Sequence, residues 1–142
     1  MRVVTVPPEI NWETLRALAR EASTRAYAPY SKVSVGAAAL CASGELITGS
    51  NVENASYGLT LCAECSLVSD LARHQGGRLV AASIVAGDGL PIAPCGRCRQ
   101  LLFEFGGADL LIDGGDGREP QRLRELLPDA FGPDDLPVRR NA

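Results

Sequence analysis

The chain has 142 residues, with 14 Lys+Arg against 17 Asp+Glu for a net charge of −3, which is the size of one domain around one core. No basic run could neutralise successive phosphates, no apolar stretch reaches the roughly eighteen residues of a membrane span, and no basic-then-apolar leader is visible. A nucleic-acid partner, a membrane protein and an exported one are therefore disfavoured, and a cytoplasmic location is expected.

Residues 1–8 are rich in β-branched side chains, end in Pro7-Pro8, and read as an extended leader. Asn11 can cap a helix in which Trp12, Leu15, Leu18, Ala19, Ala22 and Ala26 recur at spacings of three and four, with Pro29 ending it. From Val33 the pattern alternates through Val35, Ala37 and Ala39, Ser43-Gly44 offers a turn, and Glu45–Ser50 returns, which predicts a hairpin. Its Ala and Gly residues leave both faces open to closely packed helices. Cys41 at the hairpin's end reads as a small buried hydrophobe.

A polar stretch follows, Asn51 to Gly58. If its start is extended, Asn51 and Glu53 project to one side, an amide and a carboxylate that suit a sugar hydroxyl pair; an ordinary Asn-rich turn fits as well. Thr60 is a possible cap for a helix running through Cys62, Glu64, Leu67, Leu71 and Ala72 to Gly76-Gly77, which puts Cys62 in its first turn. The chain's one histidine, His74, then falls in the last turn, where the helix dipole favours it. Leu79–Ala86 is an apolar run, as expected of a strand buried on both faces. Pro94 is placed to open a helix carrying Cys98, Leu101, Leu102 and Phe105, closed by Gly106-Gly107, so Cys95 and Cys98 also fall in a first turn. Ala108–Asp113 reads as another buried strand and Gly114–Gly117 as a hairpin turn. Leu123–Leu127 is a short helix stopped by Pro128. Phe131, alone in a polar run, packs locally or onto a partner subunit, and 137–142 form a disordered tail. One domain over residues 1–136 accounts for all of this. Strands alternating with helices indicate an α/β fold with a central sheet covered on both sides.

Five cysteines, four of them in two Cys-x-x-Cys pairs, argue for metal rather than a disulfide framework. Cys62-Ala63-Glu64 with Pro94-Cys95-Gly96-Arg97-Cys98 supplies zinc with three thiolates and leaves one corner of the tetrahedron open beside a carboxylate. Two helix N-termini converging there would offset about one unit of the site's negative charge. Glu64 is placed to carry protons. Cys62-x-x-Cys65 and Cys95-x-x-Cys98 also read as an all-cysteine structural zinc module. Placement on helix starts, in a chain large enough to fold without a metal staple, favours catalysis.

These residues, with Ala28-Pro29-Tyr30-Ser31-Lys32, Val35-Gly36-Ala37-Ala38 and Asn51-Val52-Glu53-Asn54-Ala55-Ser56-Tyr57, resemble the small homotetrameric zinc-dependent cytidine deaminases over about residues 10–136. The resemblance implies a three-layer α/β/α sandwich around a five-stranded mixed sheet. It implies one zinc per subunit on Cys62, Cys95 and Cys98, and Glu64 as the proton shuttle of a reaction that attacks carbon 4 of cytidine or deoxycytidine and releases ammonia, in pyrimidine salvage. Asn51 and Glu53 would hold the ribose, and Ala55, Ala63, Val33 and Tyr57 would contact substrate. Phe131 would reach into a neighbouring subunit's site, completing it within a homotetramer.

Two positions depart from that pattern. Where many members have arginine after the catalytic glutamate this chain has Cys65, so helix N-termini, with Arg97 or Arg99, would carry the charge compensation. Where members have phenylalanine against the pyrimidine it has Val33, which implies weaker cytidine binding or room for a bulkier base. The second option resembles the deaminases of antibiotic aminopyrimidine nucleosides such as blasticidin S.

Overall fold

Asn11 opens the first helix, α1 (Trp12–Ser23), by accepting the Thr14 N–H on its side-chain oxygen at 3.0 Å. This is a computed structural model, and it describes residues 8–114 and 118–136. The leader before Pro8, residues 115–117 of the Gly114–Gly117 turn and the tail 137–142 lie outside the described residues. Helix α1 stops at Ser23, three residues before Ala26 and well short of Pro29, where the N–H groups of Thr24, Arg25 and Ala26 tighten onto the carbonyls three residues back, at 3.1, 3.0 and 3.3 Å.

The hairpin forms as strands β1 (Val35–Cys41) and β2 (Leu46–Ser50), antiparallel, with Ala38 opposite Thr48. Strand β1 begins at Val35, not Val33. Strand β3 (Leu79–Ala86) lies antiparallel on the other side of β1, and β4 (Leu111–Ile112) runs parallel to β3. The short β5 (Gln121–Arg122) closes the sheet against β4 in the order β2-β1-β3-β4-β5. Most of the Ala108–Asp113 run is thus not strand. The Leu110 N–H goes to Gly107 and its carbonyl to Leu123, outside any ladder.

Side-chain alternation divides the core. Ala38, Leu40, Ala81 and Val85 face α1, packing on Leu15 and Ala19. Ala37, Ala39, Ala82 and Ile84 face the opposite way, toward Leu67, Leu71 and Leu102 of α2 (Ala63–Arg73) and α3 (Gly96–Gly106). The molecule is therefore a three-layer α/β/α sandwich with a mixed five-stranded sheet. Two glycines make the close layering possible: a Cβ at Gly36 would collide with the Ala19 carbonyl of α1, and one at Gly49 with the Ala63 carbonyl of α2.

Helix α2 starts later than Thr60 would have it. Residues 57–59 form a separate 3-10 turn, and Leu61 exchanges both backbone hydrogen bonds with Val52 at 2.9 Å, which holds the chain extended up to Cys62. Its C-terminus matches the two-glycine stop, with His74 as the cap and half exposed, its ring beside Asp70. Helix α4 (Leu123–Leu126) follows β5 and packs against α3.

Candidate metal centre and cleft

Cys62 and Cys95 occupy equivalent positions at two helix starts. Each is the N-cap residue, with backbone angles of −66° and 160° at Cys62 and −65° and 166° at Cys95. Neither lies inside its helix's first turn, as the spacing suggested; only Cys98 does, buried at the third position of α3. The sulfurs of Cys62, Cys95 and Cys98 all lie within 4.8 Å of one another, and those of Cys62 and Cys95 are 4.0 Å apart. Zinc–sulfur bonds of about 2.3 Å at tetrahedral angles would separate two sulfurs by roughly 3.8 Å, so this donor set fits zinc. Cys65 is not part of the cluster. An all-cysteine site would need it there.

Burial pushes the Cys62 and Cys98 thiols up, and the Glu64 carboxylate adds to both. Burial works the same way on Cys95 but is outweighed by hydrogen bonds from the Cys98 backbone N–H and from the Cys98 and Cys62 thiols, so Cys95 is held below an ordinary thiol.

Glu64, the second residue of α2, is 3% exposed, and that burial holds its carboxyl above the usual carboxylate range. It lines a cavity of about 230 Å³ together with Cys62, Cys95 and Asn51. Apart from Thr60, the remaining wall is apolar, from Val35, Leu61, Ala63, Ile84, Ile92 and Ala93. Ile84 and Ile92 were not singled out from sequence. Ile84 was legible as the interior of a buried strand, but only the topology shows that this strand's end lies beside the two helix starts.

A second hollow of about 360 Å³ adjoins the first, with Thr60 lining both; Tyr30, Ser31, Glu53 and Tyr57 form the rest of its wall. The rings of Tyr30 and Tyr57 meet there with centroids 5.9 Å apart. Asn51, Glu53, Ala63 and Tyr57 are thus brought to one cleft with Glu64 and the cysteines. Three other sequence candidates are not. Val33 is 54% exposed and lines a separate hollow with Lys32, Ser34 and Ala86; Ala55 is exposed; and Phe131 is 57% exposed, its carbonyl held by Gln100 at 2.8 Å.

Arg97 reaches back from α3 to α2, with Nη2 3.2 Å from the Cys65 sulfur, and its positive charge faces the sulfurs of Cys65, Cys62 and Cys98. Arg99 does not serve that purpose. Its guanidinium is spent on the Pro94 and Leu126 carbonyls, both at 2.8 Å, which fixes the turn into α3.

Residues 10–112 match the family model of the cytidine and deoxycytidylate deaminase zinc-binding region. A cytidine deaminase of Mycobacterium tuberculosis is 56% identical over 133 residues, covering 94% of this chain and 98% of that protein. One from Halalkalibacterium halodurans is 43% identical over 82% of this chain and 90% of its own. Among solved structures, the cytidine deaminase of M. tuberculosis superposes with a TM-score of 0.83 at 55% identity, covering 87% of this chain and 99% of that one. That of Mycobacterium leprae superposes at 0.80 and 52% identity, covering 84% and 99%. A shared fold, a match to the zinc-binding family model over most of the chain and identity above half across nearly the whole length leave one conclusion: the chain belongs to the zinc-dependent cytidine deaminase family of enzymes.

Proposed function

We propose that the protein hydrolyses cytidine and deoxycytidine to uridine and deoxyuridine with release of ammonia, as a cytoplasmic enzyme of pyrimidine salvage. The observation that carries this reading is the buried Glu64 carboxylate beside a three-thiol cluster at the closed end of a cleft. Held by Cys62, Cys95 and Cys98, zinc would supply the Lewis acidity that makes a water nucleophilic near neutral pH.

Glu64 does the proton work. Its raised affinity for a proton suits a group that must take one from water and release it again, first to the pyrimidine ring nitrogen and then to the departing amine. Water adds to carbon 4, the carbon–nitrogen bond to the amine breaks, and the oxygen stays as the carbonyl of uridine. The apolar wall from Val35, Leu61, Ile84 and Ile92 keeps bulk water from the base. The outer hollow, with Glu53 at its rim, accommodates the sugar; a 3′-hydroxyl contact serves ribose and deoxyribose alike.

The active form is a homotetramer in which Phe131 enters a neighbour's site. Support comes from Tyr30, Tyr57 and Leu61, large side chains of the cleft wall that a single chain leaves exposed.

An ultraviolet time course of the zinc-loaded protein with cytidine, deoxycytidine and blasticidin S, beside Glu64→Gln, tests the reading. Loss of cytidine with formation of uridine, reduced by roughly 10² to 10⁴ in the variant with zinc retained, is the expected result. Turnover of blasticidin S alone would replace the substrate and make Val33 the reason. No turnover, with one zinc firmly bound, would favour a structural metal site.

A further inference from the structure

Phe131 leaves its ring in solvent while its backbone is clamped. The side chain is 57% exposed, yet the carbonyl accepts the side-chain amide of Gln100, Nε2 donating at 2.8 Å. The next residue is buried. Gly132 lies against the ring of Phe103, which packs on the core, and a Cβ at Gly132 would collide with that ring. The Gly132 N–H donates to Asp135 Oδ2 at 2.8 Å and the Asp135 N–H returns to the Gly132 carbonyl at 3.0 Å, so the segment closes on itself just past the aromatic.

Three successive anchors come from one face of α3. Arg99 donates to the Leu126 carbonyl at 2.8 Å where the segment begins, Gln100 takes the Phe131 carbonyl, and Phe103 backs Gly132. Cys95 caps the same helix and Cys98 lies in it, so Gln100 follows a sulfur of the cluster by two residues. Holding the backbone while the ring stays in water is no gain for a single chain, because a segment free to move would fold so large an apolar surface down onto itself. What the clamp supplies is pre-organisation. A ring already fixed in direction loses less freedom when a partner buries it.

We propose that Gln100 is a positioning residue for a site other than its own: its amide, with Gly132 seated on Phe103, aims the Phe131 ring so that it enters the neighbouring subunit's cleft. This rests on the reading above in which Phe131 completes a neighbour's site. Helix α3 then serves two sites at once, its start carrying the cysteines of one and its outer face presenting an aromatic wall to the next.

Gln100 is exposed on the helix, and Gln100→Met removes the donor where a good helix former is tolerated. KM for cytidine is expected to rise roughly three- to tenfold with kcat within about twofold, part of the roughly tenfold or greater rise in Phe131→Ala, which removes the ring outright. Gln100→Lys, which restores a donor, should recover part of the loss. Subunit mixing then locates the defect. When Gln100→Met is co-expressed with an excess of Glu64→Gln subunits, a cleft that keeps Glu64 receives Phe131 from a chain whose Gln100 is intact. Its KM is expected to return to within about twofold of wild type.

A KM that stayed raised in the hybrids would overturn the proposal, because Gln100 then acts on the cleft of its own chain. So would a wild-type KM in Gln100→Met beside a raised one in Phe131→Ala. An unaltered KM in Phe131→Ala would instead sink the reading that Phe131 completes a neighbour's site, and the proposal with it. Amide hydrogen exchange without substrate reads the clamp directly: in Gln100→Met the Gly132 and Asp135 N–H groups should exchange at least roughly tenfold faster while that of Ile84 is unchanged. Unaltered protection at Gly132 would show that Gln100 does not hold the segment. Should the wild type leave cytidine unchanged, the substrate reading fails and the exchange result alone decides the clamp.

Discussion

Nη2 of Arg97 lies 3.2 Å from the sulfur of Cys65, the one member of the two Cys-x-x-Cys pairs that stands outside the metal cluster. A zinc ion with three thiolates carries one net negative charge, and Glu64 can add another. Arg97 brings a cation from α3 to α2 across the front of that charge, with Cys65 as its soft acceptor. Metal-edge X-ray absorption should find three sulfurs and one lighter atom about zinc, and Cys65→Ser should still bind one zinc per chain. Four sulfurs would mean that Cys65 closes the site. Arg97→Gln is expected to release zinc to a chelator faster, with affinity lowered by roughly tenfold as for other groups that support metal ligands, and Arg97→Lys to recover part of it.

Glu53 gives the stability of the fold a dependence on acid. The Ser31 hydroxyl and N–H and the Tyr30 N–H hold its carboxyl below the ordinary value of 4.5. A folded pKa below the unfolded one contributes stability that is fully present above the unfolded value and is lost as pH falls through the folded value. The difference in unfolding free energy between wild type and Glu53→Gln should therefore be constant from neutrality to about pH 5 and shrink below about pH 4.5. Denaturant titrations at a series of pH values measure it, and a difference unchanged down to about pH 3 would show that Glu53 does not hold the Tyr30–Ser31 turn.

The three-cysteine cluster, the carboxylate beside it and the order of strands and helices were all legible in the sequence, because each leaves a local mark: cysteine spacing, a carboxylate two residues on, a change of hydrophobic period. What was not legible depends on contacts between distant segments. Thr60 has the chemistry of a helix cap, yet the Val52–Leu61 bridge keeps the backbone extended past it and passes the cap to Cys62. Val33 continues the alternation of β1, yet the Asn51 amide claims its carbonyl and leaves its side chain outside the cleft.

Asp113 is the most heavily bonded buried carboxylate among the described residues, and it lies on the α1 face of the sheet, away from the cleft. Arg16 binds both its oxygens, at 2.7 and 2.8 Å, and the Ser83 hydroxyl donates to Oδ2 at 2.8 Å. Removing the carboxylate takes two charge-assisted hydrogen bonds from the Arg16 guanidinium and the acceptor from the Ser83 hydroxyl. Asp113→Ala should cost about 3 kcal/mol or more, which lowers Tm by roughly 10 °C in a domain of this size. Below the transition, kcat/KM of the folded protein should stay within about twofold of wild type, since relief of a clamp on the far face does not move Glu64. A large loss of kcat at 25 °C without loss of stability would contradict this separation of the two faces.

Gly49 tests how far the chemistry depends on a backbone distance. A Cβ there would meet the Ala63 carbonyl, the Leu67 nitrogen and the Ser66 hydroxyl, the last of which accepts the Ser50 N–H at 2.8 Å. Helix α2 must back away from β2 to admit a methyl group, and Cys62, its cap, and Glu64, in its first turn, move with it. Gly36→Ala makes the matching collision on the other side, against α1, which carries none of the proposed site residues. Both variants should lose stability by about 1–3 kcal/mol, the usual cost of forcing extra volume into a filled interior. Only Gly49→Ala should also lose kcat by at least roughly tenfold, since shifts of about an ångström at a reacting group have effects of that order or larger. Equal kcat in the two folded variants would mean that the metal-bearing end of α2 is held by α3 alone and not by its packing on the sheet.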